Sequence, residues 1–302
     1  MGLVYHNGKF VPEHNIRKIN EEAEVLRRLR AFLDTNEPGM VRILVNTWRS
    51  QGNAITYKEL REAVLNGDID PEWLEEWMQD YGNLVTKYLQ PAWESAIEAG
   101  FTAIAQKYPA FYFNPLADGV RAWASVHAAE FITNIATTQT EGIRAVVHRA
   151  AVLEGMSVDE LARAIRPMVG LTKQQATANM KYFENLRANG VSPKRAQDLA
   201  LRYAGRQHRQ RAYMIARTEL ASAYNTGAHE GTKEAQARGY MGPTVKVWST
   251  ADDERVCSIC GSMEGKEIEM DEEFSGISNS WSTRLHPPAH PGCRCAVLYV
   301  EK

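Results

Sequence analysis

The sequence predicts a mainly α protein, with helical N-terminal and middle regions followed by a small α/β module at the C-terminal end. Three observations carry that expectation. Apolar and aromatic residues recur at intervals of three and four through the first 240 or so positions, and helix cap signals fall between those runs. The pattern then changes after Gly242-Pro243, where β-formers and all four cysteines gather.

Each element follows in chain order. VYHNGKFV sets Asn7-Gly8 between two short apolar runs, a signal for a two-residue hairpin. IRKINEEAEVLRRLRAFLDTN spaces Ile19, Ala23, Leu26, Leu29 and Leu33 as one helix face, and GMVRILVNTWRSQG continues the habit until Gly52. Asp70 caps a helix whose first position is Pro71, where a missing N–H costs nothing. Trp73, Trp77, Tyr81, Leu84 and Tyr88 follow as an aromatic stripe that reads as core, and Pro91 kinks or restarts the helix. Residues 115–150 form another helical stretch. Ser157 with Glu160 three residues on is a capping-box start for a short helix ending near Pro167. The next helix closes on Asn189-Gly190. The last runs from Ser192-Pro193 to Gly239, and its length predicts two helices broken near Gly205. Val245, Val247 and Trp248, then Ile268, then AVLYV at 296–300 read as strands. The expected organisation is a helical region over 1–150, a helical and basic region over 151–240, and a β-containing Cys/His module over 241–302.

Composition excludes several classes. At 302 residues with 44% hydrophobic and 24% charged side chains, the chain is long and apolar enough to bury a core, which argues against disorder. No run reaches the ~18 apolar residues of a membrane span, and the start lacks a secretory pattern, so the expected location is a cytoplasm. The net charge of −2 conceals two poles. Residues 51–100 carry three basic against ten acidic side chains, whereas 171–240 carry twelve basic against five acidic. Opposed poles suit contacts with a basic partner at one end and an acidic one at the other. No P-loop, dinucleotide fingerprint or hydrolase elbow is present in the sequence.

The cysteines pair as C-S-I-C at Cys257 and Cys260 and as C-R-C at Cys293 and Cys295, with His290 three residues before the second pair. A C-x-x-C turn brings two thiolates to one ion, and a second pair about 33 residues away completes a four-ligand set. That predicts a zinc-knuckle-like module with structural zinc held by Cys257, Cys260, Cys293, Cys295 and His290 as candidates, His286 being the weaker histidine. Two disulfides or free thiols are the alternatives, and cytoplasmic synthesis disfavours the first. The prolines around His286 and His290 stiffen the backbone, so closing a site there loses less chain entropy. A catalytic ion would need an open position and a nearby carboxylate. HAAE at 127–130 and HEGTKE at 229–234 both miss the spacing of known catalytic motifs.

IARTELASAYNTGAHEG, then VWSTADDERVCSICGSMEGKEI, then HPPAHPGCRC resembles the phage Mu F-like family of minor head proteins, also called the phage head morphogenesis family, over about residues 204–299. The ordered combination of an A-R-T-E helix, D-x-R-x-C-x-x-C and H-P-x-C-R-C carries the resemblance. It implies a non-enzymatic capsid component, present in few copies inside the head near the portal, that helps head assembly, DNA packaging or ejection. It further implies location in the virion, after assembly in the host cytoplasm, and contact with portal, major capsid or scaffold protein. By position it assigns Arg217, Thr218, Glu219 and Asn225 to the family's helix, and the cysteines with His290 to its terminal knot. From the residues themselves, Arg202, Arg206, Arg209 and Arg211 on a helix are candidates for non-specific contact with packaged DNA through phosphates. The acidic 51–100 segment could face a basic portal or scaffold surface. The competing functions are a zinc-dependent nuclease or toxin-like enzyme, and a DNA-binding adaptor unrelated to any particle.

Overall fold

Helix starts fall where side chains can satisfy the first free N–H groups. The computed structural model describes residues 3–6, 9–108, 110–112, 118–251, 253–275 and 285–302, and 70% of those residues are helical. Strands β1 (Leu3–His6) and β2 (Lys9–Pro12) pair antiparallel with Val4 opposite Val11. The Asn7-Gly8 turn expected between them lies outside the described residues, as do 115–117 of the expected 115–150 helix. Helix α1 (Glu13–Ala54) runs unbroken through Pro38 and Gly52. Leu29 and Leu33 of its predicted face are buried, while Ala23 is exposed. Helix α2 (Tyr57–Asn66) starts with a reciprocal capping box between Thr56 and Glu59.

Helix α3 (Glu72–Leu84) is capped by Asp70, whose Oδ1 accepts the Glu72 N–H at 2.9 Å. Trp73, Trp77, Tyr81 and Leu84 are buried as the stripe predicts, but Tyr88 is exposed. A π-helical stretch, Val85–Leu89, adds about one residue to the turn, so Leu89 takes the inward position instead. Pro91 then lies in the first turn of helix α4 (Gln90–Ala105). Helix α5 (Asp118–Ala151) precedes α6 (Val158–Ile165), whose Ser157 cap accepts the Glu160 N–H. Glu160 does not close the box; its carboxylate holds Arg187 of helix α7 (Lys173–Ala188). Asn189 ends α7, and Gly190 follows with φ +78°.

Helix α8 (Pro193–Ala237) corrects the expected break near Gly205: it is one continuous helix. A glycine inside a helix costs only about 1 kcal/mol relative to alanine, and a long helix absorbs that through burial of its face. Strands β3 (Thr244–Ser249), β4 (Glu267–Glu269) and β5 (Ala296–Glu301) form an antiparallel sheet in the order β4-β3-β5, with Val247 opposite Leu298. A short helix, α9 (Ser258–Gly261), lies between β3 and β4 in sequence.

Two compact units divide the chain. The first comprises residues 1–38, 91–123 and 214–302, and the second residues 39–90 and 124–213. In the second unit Trp48 donates its indole N–H to the Tyr81 hydroxyl at 2.9 Å, and Tyr81 in turn bonds Gln139, so the aromatic stripe is cross-tied. Gly170, at φ +89°, passes so close to the Trp48 side chain that a Cβ there would lie 2.2 Å from it. In the first unit Phe101, Trp248, Met263, Phe274, Val297 and Tyr299 share one core with Cys260, Cys293 and Cys295.

Candidate metal centre

The C-S-I-C turn is built by a helix cap. Cys257 is the N-cap of α9, and its sulfur accepts the Cys260 N–H at 3.4 Å, which folds both sulfurs to one side. The segment 286–295 brings the other donors. His290 Nε2 lies 3.1 Å from Cys257 Sγ and 3.1 Å from Cys260 Sγ, while Cys260 Sγ lies 3.7 Å from Cys293 Sγ. Two overlapping triads result, Cys257-Cys260-His290 and Cys260-Cys293-Cys295, sharing the buried Cys260. The structure thus brings together all five predicted ligands as one cluster that could hold a metal ion. No disulfide links any of the four cysteines.

The chemistry of the donors fits a cation. His290 Nδ1 lies 2.9 Å from the Pro291 carbonyl, so Nδ1 carries the proton and Nε2 presents its lone pair to the sulfurs. Cys260 and Cys293 sit side by side away from water and cannot both be thiolates without a counter-charge. The hydrogen bond between them pushes Cys260 up and holds Cys293 well below the ordinary thiol value. Although its contact with Cys260 favours the thiolate, Cys295 is pushed up on balance by its contact with Cys293 and by burial. Among the described residues no carboxylate joins either triad. The donors are thus sulfur and nitrogen alone, with Cys260, Cys293 and Cys295 set in apolar core and Cys257 and His290 half-buried at its edge.

Helix α8 fastens the cage. Thr218 Oγ1 accepts the Gly292 N–H at 2.8 Å, and Asn225 Nδ2 donates to the Cys295 carbonyl at 3.4 Å. Thr226 Oγ1 stands 3.3 Å from His286 Nε2, so His286 is engaged in packing the loop and is not part of either triad. Gly292 has φ +73°, a left-handed conformation that favours glycine, and it lies against the flexible end of the Met214 side chain on α8. Arg217 forms a bidentate pair with Glu37 at 2.6 and 3.0 Å, and Glu219 is half-buried on the same helix. The residues expected on the family's helix thus include two, Thr218 and Asn225, that hold the knot directly.

Three features of this region are invisible to spacing rules. Asp253 takes Arg294 in a two-pronged pair at 2.6 and 2.6 Å, joining the D-x-R-x-C segment to C-R-C, and Arg294 first holds the Asp253 carboxyl well below the usual range. Lys246, fully buried on β3, donates to the carbonyls of Glu272 at 2.7 Å and Leu285 at 3.0 Å; burial pushes its pKa down to about 8. His229 packs tilted against His286 with ring centroids 5.8 Å apart, and burial, then the His286 and Lys246 charges, push its pKa down to about 2. The opposite charges within the two cysteine motifs were the one signal that could have found the Asp253–Arg294 clamp.

The arginines proposed for DNA contact separate. Arg202, Arg206 and Arg209 are exposed on α8, with Arg206 over the Tyr203 ring. Arg211 is buried, bonded to the Gly170 carbonyl and 5.2 Å over the Trp48 ring.

A long helix clasping a Cys/His knot on a three-stranded sheet defines a structural module built around a metal-competent cage. The chain belongs to the family described as Phage Mu protein F like protein, which it matches over residues 141–298. That family is one of phage head morphogenesis and is structural in character. No curated protein and no solved structure matches the chain. Among the described residues no helix is long and apolar enough to cross a membrane.

Proposed function

We propose that the chain is a minor head protein of a tailed phage, carried in few copies inside the head near the portal, where it aids head assembly and DNA packaging or ejection. Its partners on this reading are the portal and the major capsid or scaffold protein, and its non-specific ligand is packaged DNA. The site is structural: Cys257, Cys260 and Cys293 with His290 or Cys295 hold one zinc ion, which supplies folding free energy to the terminal module. The observation that carries this reading is the donor set of sulfur and nitrogen alone, its three buried cysteines packed in core and its loop clasped by the helix that bears the family's residues. A hydrolytic ion would instead need an open ligand position beside a proton-handling carboxylate.

The test is to separate DNA-filled from empty heads on a density gradient and to quantify the chain against the major capsid protein by peptide mass spectrometry. A low, reproducible ratio in both fractions is expected. Absence from every particle fraction overturns the assignment, and metal-dependent turnover of nucleic acid by the purified chain would favour a nuclease. Metal analysis of the purified chain is expected to give one zinc per molecule.

A further inference from the structure

The second unit contains a cleft that the metal centre leaves unexplained. It has a volume of about 400 Å³ and draws its lining from α1, α2, α6 and α8 within that unit. Four arginines, Arg49, Arg163, Arg166 and Arg209, converge on it, against one lining carboxylate, Asp198. Arg49, Arg163 and Arg209 are exposed, and among the described residues none has an ion-pair partner. By contrast Arg61, Arg144, Arg149 and Arg187 of the same unit are each paired with a carboxylate.

The floor and the wall add to this charge. Trp48 and His208 pack with ring centroids 5.5 Å apart at the floor, and His208 is tied to the Val169 carbonyl at 2.8 Å. Behind Trp48 lies the buried guanidinium of Arg211, which bonds a backbone carbonyl and, among the described residues, no carboxylate. Burying a cation without an anion costs several kcal/mol, and the low-dielectric floor projects its field into the cleft. At the wall, Arg166 is fixed by the Gly52 and Asn53 carbonyls at 2.8 and 2.9 Å and lies 4.7 Å from the centre of the exposed Tyr57 ring. An aromatic face beside converging guanidinium groups is the arrangement that takes a phosphate together with a nucleoside.

We propose that this cleft binds a single phosphodiester strand of nucleic acid, with phosphates on Arg49, Arg163 and Arg209 and one nucleotide against Tyr57. The proposal deepens the DNA-contact part of the proposed function and rests on it for the choice of DNA. It moves the contact from the outer face of α8, where Arg202 and Arg206 stand, into the cleft where Arg209 stands.

Fluorescence anisotropy of the purified full chain with a labelled single-stranded oligonucleotide, titrated with salt, tests it. The variant Arg49→Gln/Arg163→Gln/Arg209→Gln, all at exposed positions, is expected to weaken binding at least about tenfold and to lower the salt slope by about 2, since each strand phosphate contact contributes ~0.7. Arg202→Gln/Arg206→Gln, equally exposed and outside the cleft, is expected to change affinity less than about twofold. Equal losses in the two variants, or an unaltered triple variant, overturn the cleft. Competition by adenosine monophosphate as strong as by the oligonucleotide overturns the strand in favour of a free nucleotide. Failure of the head assignment is read separately, from particle fractions, and leaves this binding result standing.

Discussion

Helix α8, which holds the metal knot, lies with its backbone in close contact with that of α4, and one methyl group tests that contact. A Cβ on Gly227 would stand 2.0 Å from the Ile97 carbonyl oxygen, and one on Gly100 would stand 2.0 Å from the Tyr224 carbonyl oxygen. Both obstacles are backbone, so relief requires the two helices to part by about 1 Å. Overpacking of this kind costs ~1–3 kcal/mol, at the upper end where no side chain can yield. Alanine returns up to ~1 kcal/mol through its better helix propensity, leaving Gly227→Ala destabilised by about 2 kcal/mol. Gly205→Ala in the same helix is the control: the nearest atom is Arg209 Nη1 at 4.0 Å, so propensity alone acts and the variant gains ~0.5–1 kcal/mol. Calorimetric melting of both variants checks the pair, and zinc retention by Gly227→Ala reports whether Asn225 and Thr226 still dock the loop. Equal stability of Gly227→Ala and wild type would refute the argument, because the contact would then be softer than the backbone positions require.

Cys257→Ser or Cys293→Ser should lose the bound metal and the protease resistance of residues 240–302, because binding free energy of a structural ion is folding free energy; an intact fragment after limited proteolysis would contradict this. Cys295→Ser and His290→Gln, compared by metal stoichiometry, identify the fourth ligand: the variant that retains a full equivalent is not it. Arg294→Met leaves Asp253 without its two-pronged partner and should lower the melting temperature of the module, with Asp253→Asn/Arg294→Met recovering part of the loss. Burial lowers His208 from 6.5 to about 4, so between those values the unfolded chain binds the proton and the folded one does not. Stability should therefore fall as pH drops from 6.5 towards 4, by ~2–3 kcal/mol at pH 4.5, and His208→Gln should flatten that limb of the pH profile.

Local chemistry made much of this molecule legible. Asp70, Ser157 and Asn189-Gly190 mark helix ends because a free N–H or carbonyl must be satisfied by what stands next to it in sequence. The ligand cluster was legible for the same reason: two cysteines three apart and a histidine three before a third are constrained by short chain, whatever the rest does. Tyr88 and Gly205 depart from what helical spacing and glycine propensity predict. A π-helical turn shifted the stripe by one residue, and burial carried α8 past its glycine. Spacing also could not separate Arg209, which lines the cleft, from Arg211, which is sealed behind Trp48, since two residues along a helix point in widely different directions. By itself the sequence determined the helical class, the caps, the β-containing end and the five candidate ligands. Tertiary structure alone decided which helix clasps the knot, that Asp253 meets Arg294, and which arginines converge, because those relations join residues distant in sequence through packing that no local rule encodes.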